Sequence, residues 1–427
     1  MAKGEKLPPR TIDKLGKSVR IFIVASAFIG IALGLSDSIM ANYYREAYVA
    51  GAQMRGFIEF PRELPGVLSI FVIAALSALG DIRMSVIAQF LAAGGMIVLA
   101  VSHPPYGVML LVLFIYSLGQ HMYIPLGDSV GLSLARDDNM GKVLGRFNSI
   151  RMAFLMLSGV VTFFGFRLGW FGFENPILVF LLSALAFIIL AGLLYWIYLL
   201  NREAEGKSRI NSKFVFRREY MRYYVICALF GGRKQIMLVF SPWVLIELLD
   251  FKADTMSILS VIGSFIGIFF IPAVGKLIDA MGAKKVMMME ASAFILVYIA
   301  YGFLSKWVSG NAVALTGFWM MMVYLLNIID RMAYQFYMTR SIYMKSIAIT
   351  PEDVTPSLTL GMTIDHVVAI IGAYLCGIVW ETWGPEFVFL IAGALSLLNL
   401  IAAAGIKGDF PHRAGVPAGS INGKERR

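Results

Sequence analysis

Residues 228–240 read ALFGGRKQIMLVF. Arg233 and Lys234 stand side by side in the middle of an apolar run that extends over about 220–248. A charge at the centre of a lipid-spanning helix costs about 2.5–3.5 kcal/mol on the insertion scale. Whether this run spans a bilayer therefore decides the fold. The rest of the chain gives the answer. Of 427 residues, 59% are hydrophobic and only 15% are charged, against about 25% charged in a soluble domain. Apolar segments longer than the roughly 18 residues of a spanning helix recur from end to end. The chain reads as an all-α, multi-pass membrane protein.

The net charge of +10 does not point to nucleic acid. The basic residues lie in short loops between apolar spans, as membrane topology dictates. Cys227 and Cys376 both fall inside spans, and there is no disulfide framework or CxxC metal motif. The N-terminus is basic and runs into an apolar stretch from Ile21 to about Ala41, too long for a signal-peptide core and without an A-x-A site. It reads as an uncleaved first helix. No nucleotide-binding or catalytic motif is present, so neither an enzyme nor a cofactor is expected.

Twelve spans emerge, at about 19–43, 61–80, 82–102, 107–134, 144–168, 175–200, 220–248, 254–278, 285–305, 312–339, 357–380 and 387–406. The expected organisation is a tail at 1–18, six spans over 19–200, a basic linker at 201–219, six spans over 220–406 and a polar tail at 407–427. Lys and Arg concentrate in the tails, the linker and the loops after spans four and eight, all on one side if twelve spans alternate. Positive-inside then puts both termini and the linker in the cytoplasm of a plasma (inner) membrane protein. A weak internal repeat matches LGRFNSIRMAF from Leu144 with LTLGMTIDHVV from Leu358, pairing Arg151 with Asp365.

Intramembrane charge is unevenly shared. Asp37 is in span one, Arg62 and Glu63 open span two, His121 and Asp128 are in span four, and Arg151 is in span five. Arg233 and Lys234 are in span seven, Asp330 and Arg331 in span ten, and Asp365 and His366 in span eleven. Spans three, six and twelve have none in their cores, and span nine has only Glu290 near its start. Charged groups in a bilayer face a protein interior or a wet cavity. Spans one, four, seven and ten, helped by two, five and eleven, are expected to surround such a cavity, and the others to support it from outside.

This pattern resembles the major facilitator superfamily, whose two pseudo-symmetric six-helix bundles line a cavity with the first and fourth helices of each half. The resemblance covers about 19–406. Its cytoplasmic-loop motif, GxxxDxxGxxx with basic residues at the end, is matched by GKLIDAMGAKK: Gly275, Asp279, Gly282, Lys284 and Lys285. The resemblance implies that Asp279 caps a neighbouring helix and that the lysines help lock a gate. In the first half SALGDIRMS keeps Asp81 and Arg83, and reads as lacking the first and second glycines. Span five lacks the drug-antiporter GxxxGPxxGG pattern and the linker lacks the sugar-porter PESPR pattern, so no subfamily is favoured.

Candidate sites follow from stripes at helical spacing. Tyr116, Gln120 and Tyr123 on span four, and Tyr324, Asn327, Arg331 and Gln335 on span ten, suit a solute site of aromatic walls and a few polar groups. Asp37, His121, Asp128, Asp365 and His366 are candidates for proton coupling, with satisfied polar pairs as the alternative. Arg151 is expected in gating. Arg233 and Lys234, with Arg331, would hold an anionic solute such as a small carboxylate; alternatively the two pair with Asp37, Asp330 or Asp365. The expected function is a secondary transporter, a monomer, moving a small anionic solute with protons by alternating access. A transition-metal transporter using the Asp and His groups, a lipid flippase and a membrane sensor are the alternatives.

Overall fold

The structure, a computed structural model, describes residues 9–134, 140–202, 216–310, 317–333, 336–350 and 353–406. Among these residues every regular element is a helix. The first half contains α1 (Pro9–Ser36), α2 (Met40–Tyr48), α3 (Ala52–Ala75), α4 (Asp81–Val101), α5 (Tyr106–Leu134), α6 (Met140–Arg167) and α7 (Leu178–Asn201). The second contains α8 (Met221–Trp243), α9 (Ala253–Gly310), α10 (Phe318–Ala333), α11 (Tyr337–Ile347), α12 (Val354–Thr382) and α13 (Pro385–Ala404).

Nine helical stretches among the described residues are long and apolar enough to cross a bilayer. Twelve passes result once three details are added. α9 is a single helical stretch bent at Gly282, whose φ of 81° breaks it into two. α3 carries Arg55, Glu59, Arg62 and Glu63, which lower its apolar character. α10 has only 16 residues. The second span thus begins at Ala52 rather than near 61. Pro61 looks like the first residue of a helix in sequence, because proline suits that position, yet here it and Pro65 lie inside α3.

The chain divides into two compact units. One comprises Met1–Val49, Pro61–Ser212 and Lys252–Val261; the other comprises Ala50–Phe60, Lys213–Phe251 and Ile262–Arg427. Within the first, α1 packs on α6 and α7, and α4 on α5 and α7. Within the second, α8 packs on α12 and α13. The first pass of each unit therefore lies against the fifth and sixth. Close approach depends on glycine at matching places. A side chain at Gly30 or Gly34 of α1 would strike the carbonyls of Arg151 and Leu155 on α6. One at Gly231 of α8 would strike Asp365 on α12, whose carbonyl oxygen would lie 2.8 Å from the added carbon. Arg151 and Asp365 are the residues paired by the internal repeat.

The repeat also corrects the loop motif. Gly282 (φ 81°, ψ 156°) and Gly80 (φ 80°, ψ 162°) share one left-handed conformation, which a side chain would strain. Gly80 is therefore the second glycine of the first half, and it is present. Asp81 does not stand at the place of Asp279; it is the first residue of α4, where a carboxylate suits the helix N-terminus, and it accepts a hydrogen bond from Ser129.

The apolar window of α8 is 78% buried, against 22% for α9. α8 is a central helix of its unit, so its two cations point into protein and not into lipid. The outward faces are apolar: Phe265, Phe269, Leu296 and Phe303 of α9 are exposed, as are Leu157, Val161 and Phe164 of α6.

Candidate functional site

In the second unit the cations of α8 have acidic partners. Arg233, 1% exposed, forms an ion pair with Glu290 of α9 and lies 5.2 Å from the ring centre of Phe230 and 5.1 Å from that of Phe294. Two aromatic faces and a carboxylate suit a planar guanidinium better than an ammonium. Lys234 reaches across to α12, its Nζ 2.9 Å from Asp365 Oδ2. As expected from their separation around the helix, the two cations face different partners. Asp365 is among the alternatives foreseen for Lys234, whereas Glu290 is not foreseen for Arg233. The ninth pass is therefore more than an outer support, because its Glu290 is 2% exposed.

Further polar groups extend this buried layer. Gln235 donates to Glu59 Oε2 at 2.9 Å, and Glu59 also pairs with Arg55 four residues earlier on α3. Ser241 donates to Asp330 of α10. Arg331 donates to Asn327 Oδ1 at 3.1 Å, and Tyr324 packs on Phe251 at 5.7 Å between ring centres. Arg340 of α11 is 3% exposed with its guanidinium 3.0 Å from the ring centre of Phe230. His366 is half-buried. Gln335 lies outside the described residues. Single oxygens of Glu290, Asp330 and Asp365 have no hydrogen-bond partner. Buried polar atoms are normally satisfied, so each of these oxygens can still accept a hydrogen bond.

The first unit brings together residues that the sequence assigns to different roles. Tyr116 donates to Asp37 Oδ1 at 3.1 Å, exchanges a 2.9 Å hydrogen bond with Ser36, and accepts one from Gln120. Asp37 is exposed and Tyr116 is 2% exposed, so the carboxylate stands at the surface of the unit with a buried phenol behind it. The charge of Arg62 acts on Asp37. His121 Nδ1 is 3.0 Å from Ser117 Oγ, and Ser117 in turn donates to the carbonyl of Arg62. Asp128 is exposed, Tyr123 is buried, and both feel the charge of Arg151. Arg151 also stacks at 5.9 Å on Phe147.

Of the loop-motif residues, Asp279 and Lys285 are exposed and Gly275 is half-buried. Lys284 donates to the carbonyl of Ile406 at 2.7 Å, which ties the bend at Gly282 to the end of α13. Arg83 lies 5.4 Å from the Tyr198 ring centre. At the same end of the second unit Asp353 accepts hydrogen bonds from Tyr220 at 2.8 Å and from Arg217. Burial opposes ionisation there, but those bonds and the Arg217 charge hold the carboxyl below its ordinary 3.8.

Long membrane-crossing helices, two units repeating one packing scheme and polar groups gathered inside them define a membrane transport protein. The sequence profile of the Major Facilitator Superfamily matches residues 22–347, and the chain belongs to that superfamily. It is a non-enzymatic membrane transporter. No curated protein sequence matches it. Among solved structures it is similar to the nucleoside transporter NupG, at 17% identity and a TM-score of 0.70, over 91% of this chain and 98% of that one. It is also similar to the xylose transporter XylE from E. coli in its inward open conformation, at 12% identity and a TM-score of 0.69, over 93% and 98%. A bacterial homologue of the iron transporter ferroportin in its inward-facing state matches at 13% identity and a TM-score of 0.63, over 91% and 98%. At such identities the likeness establishes the fold alone.

Proposed function

We propose that the chain is a secondary transporter that moves a small carboxylate across the cell membrane together with a proton, with Lys234 and Asp365 as the coupling pair. The observation that carries this reading is the Lys234–Asp365 contact at 2.9 Å, between residues that are 7% and 4% exposed, with Asp365 Oδ1 left without a partner. A carboxylated solute reaches Lys234 only by taking the place of Asp365. Protonation of Asp365 removes that competitor, and the ammonium can then take the solute carboxylate in its place. Loss of the solute restores the ion pair and expels the proton. Neither proton nor solute is stable in the site alone, which is what symport requires.

Arg331 and the hydrogen-bonding groups Asn327 and Tyr324 are assigned to the solute, as are Tyr116, Gln120 and Tyr123 in the first unit. Asp37, His121, Asp128 and His366 are secondary candidates for the proton. Both termini are assigned to the cytoplasm on the segregation of Lys and Arg along the sequence.

The test is proton uptake by purified, weakly buffered protein on addition of acetate, lactate or succinate. Wild type takes up a proton with whichever carboxylate binds. Asp365→Asn binds it without proton uptake, and Lys234→Met loses the binding. Undiminished uptake in Asp365→Asn, or unchanged affinity in Lys234→Met, refutes the assignment.

A further inference from the structure

A small cavity adjoins the coupling pair inside the second unit. Tyr223, Cys227, Phe230, Arg340, Ser341, Gly361 and Asp365 line it, and its volume is about 10 Å³, room for about one water molecule. Six of these residues are buried; Ser341 is half-buried and forms the least enclosed wall. The cavity lies at the end of the unit where α8 begins, seven to eleven residues before Lys234 in the case of Cys227 and Tyr223. Its polar wall is mixed: a phenol, a thiol, a guanidinium, a hydroxyl and a carboxylate whose Oδ1 has no hydrogen-bond partner.

We propose that this cavity is the proton's route to Asp365, occupied by a single relay water held by the Tyr223 hydroxyl. The inference rests on the coupling reading above and names the path that reading needs. A hydronium ion of the aqueous phase passes a proton to the relay water, and that water passes one of its own to Asp365 Oδ1. One proton enters, one leaves the water, and no group is oxidised. Asp365 becomes neutral while Lys234 keeps its charge. The charged and titratable groups around Asp365 come from each neighbouring helix: Tyr223, Cys227 and Lys234 from α8, Arg340 from α11, and Glu290 of α9 beyond Arg340. Arg340 lines the same cavity, with its positive charge acting on Asp365.

Gly361 keeps the cavity open. A methyl group there would lie 2.6 Å from the Tyr223 hydroxyl and 3.0 Å from Cys227 Sγ. Gly361→Ala therefore fills the space the water needs, and Tyr223→Phe removes the hydroxyl while keeping the ring. The measurement is infrared difference spectroscopy after a pH jump on the full chain in lipid nanodiscs with acetate, lactate or succinate present, whichever the wild type binds, and with the Asp365 carbonyl band identified by its loss in Asp365→Asn. Both variants should reach the wild-type titration midpoint, but about tenfold more slowly or worse. A wild-type rate in a folded Gly361→Ala protein, or in Tyr223→Phe, overturns the route and leaves the coupling reading standing. If no Asp365 carbonyl band appears in the wild type with any of these carboxylates present, the coupling reading fails and the route fails with it.

Discussion

Replacing Arg233 by methionine tests what holds the centre of α8. The side chain of Glu290 is fully buried and its ion pair with Arg233 lies between Phe230 and Phe294. Removing the guanidinium leaves a buried carboxylate without its counter-charge, which costs about 3–5 kcal/mol. For a unit of this size each kcal/mol shifts the melting temperature by about 2–4 °C, so a loss of about 3 kcal/mol predicts a fall of about 6–12 °C. Glu290→Met should cost a similar amount, since it strands the guanidinium. The double variant Arg233→Met, Glu290→Met removes both charges and keeps much of the volume. Such replacements of buried pairs by apolar side chains are often neutral or stabilising, so the double variant should melt near the wild type.

The assay is thermal unfolding of the purified protein in detergent, followed by tryptophan fluorescence, with Trp243 of α8 fully buried as a reporter. The non-additivity of the cycle is the decisive quantity. If Arg233→Met melts within a degree or two of the wild type, the pair does not hold the unit together. If the double variant is no better than the worse single one, the cost belongs to lost packing around Phe230 and Phe294 and the ion-pair argument fails. Arg233→Lys separates the two further. A lysine keeps the charge but not the planar contact, and should recover only part of the loss.

Asp353→Asn should lower the melting temperature at neutral pH. Because the native carboxyl is held below 3.8, its contribution is present above that value and is lost as the pH falls through the native value, so the gap from wild type should close in acid. Gly231→Ala should destabilise the second unit and Gly30→Ala the first, each because a methyl group meets the facing helix; equal melting of either variant and wild type would contradict the packing described. A cysteine introduced at Ile210 should react with a membrane-impermeant thiol reagent only from the cytoplasmic side, and reaction in intact cells would invert the topology. Asp37→Asn should reduce proton-driven accumulation, leave solute exchange in place and cost little stability, since the Asp37 carboxylate is exposed and Tyr116 keeps Ser36 and Gln120 as partners; a loss of folded protein would make Asp37 structural.

Most of the helices were legible because lipid demands long apolar runs, and a run of twenty residues leaves little room for another reading. The errors fall where charge or glycine interrupts that pattern. The second span reads short in sequence because Arg55 and Glu59 resemble loop residues, although their spacing of four is that of a helical pair and together they are buried. Arg340 lies just past the expected end of the tenth span, where a cation reads as part of a loop, yet it lines the cavity beside Asp365. Aligned on Asp81, the first-half motif lacks its second glycine, and only backbone conformation identifies Gly80 as the counterpart of Gly282. Partners are harder still. Arg233 and Glu290 are 57 residues apart in sequence, and nothing local distinguishes Glu290 from an acid at a helix end.

The adjacency of Arg233 and Lys234 has a physical consequence that neither residue has alone. Successive residues of a helix point about 100° apart, so one turn of α8 addresses α9 through Arg233 and α12 through Lys234. The two pairs differ in chemistry. A guanidinium cannot lose its proton and this one lies against two rings, so the Arg233–Glu290 contact is the more rigid of the two. An ammonium on a flexible stem, facing a carboxylate with one unused oxygen, can exchange its partner. A rigid pair beside an exchangeable one lets α12 gain or lose a contact without loosening α8 from α9. On this argument Lys234→Arg is not conservative: it should preserve stability yet impair exchange at Asp365, because a bidentate guanidinium would hold that carboxylate too firmly. Wild-type carboxylate-dependent proton uptake in Lys234→Arg would show that the identity of the cation does not matter, and the division of labour between the two residues would fall.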